Sequence, residues 1–173
     1  MTLASLTKNP KQVRLFGFLV TAWLVIAIDQ LAKFLAIEYL KPGQVVPVLG
    51  DLLKLVLVYN DSAAFSLGYG ATWIFAITSS IATLVIIWLS SRLETMAWSI
   101  TGGVALGGVV GNLVDRLFRE PGFGVGHVVD FISIPFNFPI FNIADIAIVA
   151  VAVIVVVRVM QGAPLGRAKS KNS

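Results

Sequence analysis

Four long runs of apolar residues constrain the fold of this 173-residue chain more than any other feature. They predict membrane-spanning helices at about 15–37, 71–91, 97–115 and 139–158, since about 20 apolar residues can cross the hydrocarbon core of a bilayer. Only 13% of the residues are charged, whereas soluble domains carry about 25%. The chain is therefore predicted to be one membrane domain, residues 1–173, of the α-helical membrane class.

The first apolar run could also belong to a signal peptide. It follows Lys8, Lys11 and Arg14, as an apolar core follows a basic segment in signal peptides. However, apolar character continues to about Ile37, and no clean small-x-small cleavage site follows the run. We therefore favour an uncleaved first span.

The connections between the spans differ in character. Residues 40–70 contain prolines and glycines around aliphatic stretches, and Leu55–Tyr59 is typical of a β-strand. Residues 117–135 are polar and glycine-rich, which favours a helix or loop at the membrane interface. The tail, 162–173, is basic and has the composition of a disordered end.

The positive charges predict the topology. Four spans place both termini and the short loop at 92–95 on one side of the membrane, and this side carries the larger share of lysine and arginine. The positive-inside rule makes this side cytoplasmic. Both longer connections are then expected on the outer side.

Composition excludes several kinds of chemistry. The chain has no cysteine, so disulfides and thiolate chemistry are excluded, and its single histidine, His127, cannot build a histidine-rich metal site. No cofactor or metal is expected. The net charge of +4 is weak evidence for nucleic-acid binding, and no such partner is predicted.

Three glycines recur every four positions in the third span: Gly103, Gly107 and Gly111. This spacing predicts a flat helix face suited to close packing. A phosphate-binding loop is the alternative, but no Lys-Ser/Thr pair follows the glycines.

Polar residues near the ends of the spans are the candidate site residues, because charges in a membrane are costly. Asp29 and Lys33 share a helix face, which favours an ion pair with the lysine extending outward over direct catalysis. Asp115 and Arg116 could form a structural pair, or Arg116 could hold a substrate carbonyl or phosphate. Asn112, on the same side, could bond a peptide backbone.

Asp130 and Asp145 are the candidates for acid–base chemistry. Asp145 is expected about six residues into the fourth span, too deep for a simple cap, with Asn142 on the same face. Asp130 lies between apolar residues, although it could serve as a helix N-cap. If the two carboxyl groups meet, they tend to share one proton and could cleave an amide with activated water.

Five blocks of sequence follow one another in order: Asp29-Gln30-Leu31-Ala32-Lys33, Tyr59-Asn60 with Ala63-Ala64-Phe65-Ser66, Gly111-Asn112-Leu113-Val114-Asp115-Arg116, His127-Val128-Val129-Asp130-Phe131 and Phe141-Asn142-Ile143-Ala144-Asp145. Together they resemble the lipoprotein signal peptidase (signal peptidase II) family. The resemblance implies an aspartyl endopeptidase with four transmembrane helices, a periplasmic β-cradle at about 40–70 and a periplasmic interfacial helix at about 117–135. It places the catalytic pair on Asp130 and Asp145. It places other substrate-binding or site-organising residues at Asp29, Lys33, Asn60, Asn112, Asp115, Arg116 and Asn142.

The resemblance also implies a substrate and a location. The substrate would be a diacylglyceryl-modified prolipoprotein, cleaved before its lipidated cysteine among membrane lipids. The enzyme would be a monomer in the bacterial inner membrane, with a periplasmic active site and sensitivity to cyclic peptides of the globomycin type.

One residue departs from the family pattern. Ser62 stands where the family has a glycine, which affects the expected turn beside the cradle rather than the aspartate pair. Two other classes remain as alternatives: a small transporter that uses Asp29, Asp115 and Asp145 as a relay, and an assembly factor that binds a partner helix through its glycine face.

Overall fold

The structure is a computed structural model that describes residues 9–61 and 72–162. These residues form four helices and three strands. In chain order they are α1 (Pro10–Tyr39), β1 (Val45–Pro47), β2 (Lys54–Asn60), α2 (Thr72–Ser90), α3 (Met96–Phe118), β3 (Val128–Ser133) and α4 (Ile143–Met160). Of the predicted basic tail, only Gly162 is described. Ser62 and the predicted block that follows it, at 63–66, also lie outside the described residues.

All four helices are long and apolar enough to cross a membrane. Their outer surfaces expose large apolar side chains, such as Trp23 on α1, Leu84 on α2 and Val149 on α4. Such surfaces are stable against lipid and costly in water. The predicted membrane α-helical class with a small sheet is confirmed.

Helix α3 is the centre of the bundle, because α1, α2 and α4 all pack against it. A Cβ atom at Gly103 would lie 2.5 Å from the backbone oxygen of Phe18, and one at Gly107 would lie 2.5 Å from Cβ of Val25. A Cβ at Gly111 would lie 3.2 Å from Cβ of Ala144 on α4. The predicted packing role of the glycine face is confirmed, and α1 and α4 occupy this face.

The Gly103→Ala variant is expected to lower the free energy of unfolding in detergent by about 1–3 kcal/mol, since overpacking forces the helix backbones apart. The lower stability should appear as a lower melting temperature. The atom it would meet first is a backbone oxygen of α1, which cannot rotate away. Gly122→Ala is the matched control, because a Cβ there would meet nothing within 4 Å. Equal melting temperatures for the two variants would contradict this account.

The three strands form an antiparallel sheet in the order β1-β2-β3. The strand predicted at Leu55–Tyr59 lies within β2, which pairs with β1 on one side and with β3 on the other. The register pairs Val58 with Asp130 and shifts between Leu55 and Val58. The sheet packs on the end of α1 through an apolar cluster that includes Leu57, Val129 and Phe131.

The prediction of an interfacial helix at 117–135 is wrong. Helix α3 continues to Phe118, residues 119–127 form turns, and β3 follows at once. The backbone N–H of Gly126 donates to the oxygen of Arg116 at 3.0 Å, which folds the connection back over the end of α3. The β-branched run that starts at Val128 then pairs with β2, and this pairing excludes a helix.

The fourth helix begins at Ile143 rather than at Pro139. Phe141 exchanges backbone hydrogen bonds with Ile132, at 2.8 and 3.0 Å, so this part of the chain stays extended. Asn142 then caps the helix. Pro139 is a common residue at helix starts, but here the pairing with β3 determines the boundary.

Candidate active site

Asp130 and Asp145 come together around Asn142. The Asn142 side-chain amide donates to Oδ1 of Asp130 at 2.6 Å, and its backbone N–H donates to Oδ2 of Asp145 at 3.1 Å. One asparagine therefore contacts both carboxyl groups. The strand β3 supplies the first aspartate, and the first turn of α4 supplies the second.

Each carboxyl group has a further asparagine donor. Asn60 on β2 donates to Oδ2 of Asp130 at 2.7 Å. Asn112 on α3 donates to Oδ1 of Asp145 at 2.8 Å. The side chain of Asp130 is buried and that of Asp145 is partly exposed, so water can reach the pair from the side of Asp145.

Asp145 is shallower than the sequence suggested, because it lies in the first turn of α4. Asn142 and Asp145 form a capping box, in which the Asn142 side chain accepts from the backbone N–H of Asp145 at 3.0 Å. The expectation that Asp145 is too deep to take part in a cap is wrong. Acidic side chains in a first turn also gain stability from the helix dipole.

Burial raises the pKa of Asp130 from 3.8 to about 6. The hydrogen bond from Asn60 opposes this rise, the negative charge of Asp145 adds to it, and the hydrogen bond from Asn142 opposes it. A carboxyl group in this environment keeps its proton to a higher pH than an ordinary aspartate. Asp130 is thus suited to hold a proton in the site.

This raised pKa predicts a pH-dependent stability. Between about pH 4 and 6 the folded protein holds a proton that the unfolded chain has lost, so raising the pH through this window lowers stability. In the Asp130→Asn variant the group cannot titrate. The stability of the variant relative to the natural protein should therefore rise by about 1–3 kcal/mol across the window.

The measurement is the melting temperature of both proteins in the same detergent at several pH values. A changed hydrogen bond in the variant adds a constant offset, which leaves the slope intact. A difference between the proteins that does not vary with pH would contradict the assignment.

Lys33 is the centre of a buried polar cluster beside the aspartate pair. Its Nζ lies 2.8 Å from Oδ2 of Asp29 and 2.8 Å from Oδ2 of Asp115, and it donates to Oδ1 of Asn112 at 2.9 Å. The predicted ion pair between Asp29 and Lys33 is confirmed. The predicted outward extension of Lys33 is wrong, because its side chain is fully buried. The second carboxylate, from α3, holds the lysine inside the bundle.

The two carboxylates that hold Lys33 also hold the backbone next to the aspartate pair. Asp115 accepts from the N–H of Val129 at 3.2 Å, and Asp29 accepts from the N–H of Ala144 at 2.9 Å. These residues directly precede Asp130 and Asp145. Lys33 therefore connects the backbone supports of both aspartates, and through Asn112 it also orients a donor to Asp145.

The predicted ion pair between Asp115 and Arg116 is wrong. Asp115 pairs with Lys33 and with Arg119, whose Nε lies 2.7 Å away. The buried Arg116 guanidinium instead lies over the ring of Phe75 at 5.5 Å, and its Nε has no hydrogen-bond partner among the described residues. The charge of Arg116 interacts with Asp130 and Asp145.

Sequence reasoning missed Arg119 and Gln30. Gln30 donates to Oδ1 of Asp115 at 3.1 Å and to the backbone oxygen of Gly111 at 3.0 Å, and its own oxygen accepts from Arg119 at 3.4 Å. The spacing of four between Asp115 and Arg119 is a signal for a helical ion pair that could have identified the arginine. Gln30 gave no comparable signal.

All nine candidate site residues thus lie in one connected network at one end of the bundle. We call this the active-site end. The residues that the structure describes contain no group of three histidine, cysteine, aspartate or glutamate side chains that could hold a metal ion. The arrangement offers a pair of carboxyl groups, one of them partly exposed, with the charge of the Arg116 guanidinium acting on both.

Known proteins resemble this chain in sequence. The family model described as signal peptidase (SPase) II matches residues 21–161. A lipoprotein signal peptidase of Leifsonia xyli subsp. xyli is 52% identical over 75% of this chain and 60% of its own length. A lipoprotein signal peptidase of Mycobacterium avium is 43% identical over 87% of this chain and 81% of its own length. The chain therefore spans less than two thirds of the Leifsonia protein.

A solved structure also shares the fold. It is described as a bacterial membrane enzyme determined by the in meso method at 2.3 Å resolution, and it matches with a TM-score of 0.76 at 22% identity. The match covers 90% of this chain and 94% of that chain. The fold agrees with the sequence relationship, and the chain belongs to the signal peptidase II family.

Proposed function

We propose that this protein is an aspartic endopeptidase that removes signal peptides from diacylglyceryl-modified prolipoproteins, with cleavage before the lipidated cysteine. Membership of the signal peptidase II family supports the removal of signal peptides from lipoproteins. The observation that carries the aspartic mechanism is the placement of Asn142 between Asp130 and Asp145. Both carboxyl groups contact this one residue and the charge of Asp145 acts on Asp130, which suits the pair to share one proton.

In the proposed reaction Asp145 is the base, because its side chain is partly exposed and water can reach it. It takes a proton from water as the oxygen attacks the scissile carbonyl carbon. Asp130, whose raised pKa makes its protonated form more accessible than that of an ordinary aspartate, gives its proton to the carbonyl oxygen. The tetrahedral diol then collapses. Asp145 gives its proton to the leaving nitrogen as the C–N bond breaks, and a hydroxyl group of the diol returns a proton to Asp130 as the new carbonyl forms.

The other residues of the site bind or position. Arg116 has an Nε without a hydrogen-bond partner among residues 9–61 and 72–162, and its charge interacts with the pair, which suits it to hold a substrate carbonyl oxygen. Asn60, Asn112 and Asn142 orient the two carboxyl groups by donating to them. Asp29, Lys33 and Asp115 hold the backbone on which the pair is placed.

The proposed location is the bacterial inner membrane, with both termini in the cytoplasm and the site on the periplasmic side. The active-site end combines the end of α1, the end of α3 and the start of α4. Basic residues such as Arg14, Arg92 and Arg158 belong to the opposite ends of the helices. This distribution agrees with the positive-inside rule. We further propose that residues 1–173 act as one monomeric domain.

The function is tested with purified protein in detergent and a synthetic diacylglyceryl-modified precursor. We expect a shortened lipoprotein and a released signal peptide, inhibition by a cyclic peptide of the globomycin type, and no effect of EDTA. The unlipidated precursor is the control, and it should remain intact. A lack of cleavage would contradict the proposed function, while a loss of activity in EDTA that zinc restores would contradict only the metal-free mechanism.

A further inference from the structure

One end of the sheet exposes five large apolar side chains, which we call the apolar rim: Val48, Leu49, Leu52, Phe136 and Phe138. The register pairs Pro47 with Lys54 and Lys54 with Ser133, so the β1–β2 turn and the loop after β3 leave the sheet at the same end. The rim therefore forms from two segments that the sheet holds side by side. Residues this large are seldom clustered on a surface that faces water.

Both segments of the rim are structured. In the β1–β2 turn, the N–H groups of Val48 and Leu49 donate to the backbone oxygen of Leu53 at 2.9 and 3.1 Å. In the second loop, Phe141 is paired with Ile132, and Phe138 packs edge-on against the ring of Phe141 at 5.8 Å between centroids. The sheet thus presents the rim in a defined position.

Phe136 is the most exposed side chain of the rim, with 99% of its surface accessible. Its φ is +68°, and that of Asn137 is +53°. A bulky residue rarely adopts this left-handed conformation, which is unfavourable for L-amino acids. The folded chain therefore holds an aromatic ring outward, in an unfavourable backbone conformation, with no covering contact from the described residues.

The charges around the rim are balanced. The turn at 48–53 and the loop at 134–140 contain one charged residue, Asp51, and the loop continues without charge to Asp145. Asp51 forms an ion pair at 2.8 Å with Lys54. A paired charge enters a region of low polarity more readily than an isolated charge does.

The rim is also close along the chain to α4, a helix apolar enough to cross a membrane. Phe138 is five residues before Ile143, the first residue of α4, so the chain between them spans at most about 17 Å. Phe141 is paired with the sheet, which shortens the separation further. Aromatic residues are enriched where membrane helices meet the headgroup region. In the first turns of α4, the apolar residues Ile146 and Val149 are also exposed.

From these observations we propose that the apolar rim inserts into the lipid leaflet at the active-site end, with Phe136 and Leu52 as the deepest residues. The partner is the bilayer itself. Because β3 carries Asp130 and ends at the rim, insertion sets the depth of this aspartate relative to the membrane surface. Such an anchor would present the site to a substrate whose cleavage point lies at the same level.

The chain lacks cysteine, so single labels can be introduced cleanly. We would label Phe136→Cys, Leu52→Cys and a control, Glu120→Cys, with the fluorophore NBD in phosphatidylcholine–phosphatidylglycerol vesicles. Glu120 is exposed in the connection after α3. Both rim labels should emit at shorter wavelength than the control, and lipids with a nitroxide near the headgroup should quench them.

Three outcomes would overturn the proposal. Rim labels that emit like the Glu120 label in vesicles would place the rim in water. A shift that occurs only when precursor is added would make the substrate the partner. Energy transfer between labelled copies would make a second copy the partner. None of these readouts requires activity, so the proposal can fail while the proposed function stands.

A second measurement connects the rim with turnover. The double variant Leu52→Ser/Phe136→Ser should cleave precursor about tenfold more slowly than the natural protein in vesicles, yet within about twofold of it in detergent. An unchanged melting temperature in detergent would show that the variant is folded. Equal loss of rate in vesicles and in detergent would contradict a role of the rim in anchoring to the membrane.

Discussion

Asp130→Asn and Asp145→Asn are each expected to reduce cleavage of a diacylglyceryl-modified precursor by about 10²–10⁴-fold, the usual contribution of acid–base groups. An asparagine at position 145 cannot take a proton from water. An asparagine at position 130 cannot give a proton to the carbonyl oxygen. The measurement is the initial rate of signal-peptide release in detergent, with the melting temperature recorded to show that each variant is folded.

The matched control is Asp51→Asn, which makes the same chemical change at an exposed aspartate whose contact is an ion pair with Lys54. Its rate should stay within about twofold of the natural protein. A folded variant at position 130 or 145 that retains a near-natural rate would exclude the two-aspartate mechanism. If only one variant were inactive, the mechanism would need a single carboxyl group.

The Lys33→Met variant is expected to show the largest loss of stability. It leaves Asp29 and Asp115 buried with fewer partners, and breaking a buried ion pair in this way costs about 3–5 kcal/mol. Cleavage should fall about 100-fold even where the variant is folded, because small displacements of catalytic groups have effects of this size. Lys54→Met is the control, since a partly exposed ion pair contributes about 0–1 kcal/mol.

A second substitution separates positioning from stability. Adding Asp29→Asn to Lys33→Met removes one unpaired charge, and the asparagine oxygen can still accept from Ala144. We expect the double variant to regain part of the lost stability while cleavage stays low, because Asp115 and Asn112 still lack the lysine. Recovery of rate in parallel with stability would show that Lys33 acts through folding alone.

Local patterns predicted much of this fold. Apolar runs predicted four helices, and a β-branched run predicted the strand that became β2. The spacing of four between Asp29 and Lys33 predicted their ion pair, and the spacing of three between Asn142 and Asp145 placed these residues on one face, where they form a capping box. Each of these interactions joins residues within about one turn of helix, so the spacing of the residues along a single sequence is enough to predict it.

Contacts between distant segments could not be predicted in this way. Lys33 turns inward because Asp115 on another helix faces it, and Asp115 pairs with Lys33 and Arg119 rather than with its neighbour Arg116. In the same way, α4 starts late because Phe141 pairs with Ile132 on β3. In each case a partner from another element outcompeted the local preference, and spacing along the chain does not show which elements will meet.

The buried cluster has a consequence for the net charge of the site network and Arg119. Three cations, Lys33, Arg116 and Arg119, face the structural carboxylates Asp29 and Asp115 and the aspartate pair. If the pair shares one proton it carries one negative charge, so three negative charges balance three positive ones. Adding or removing a proton would leave a net charge next to the hydrocarbon of the membrane. The proposed mechanism, in which the pair shares one proton, would therefore leave these charges in balance.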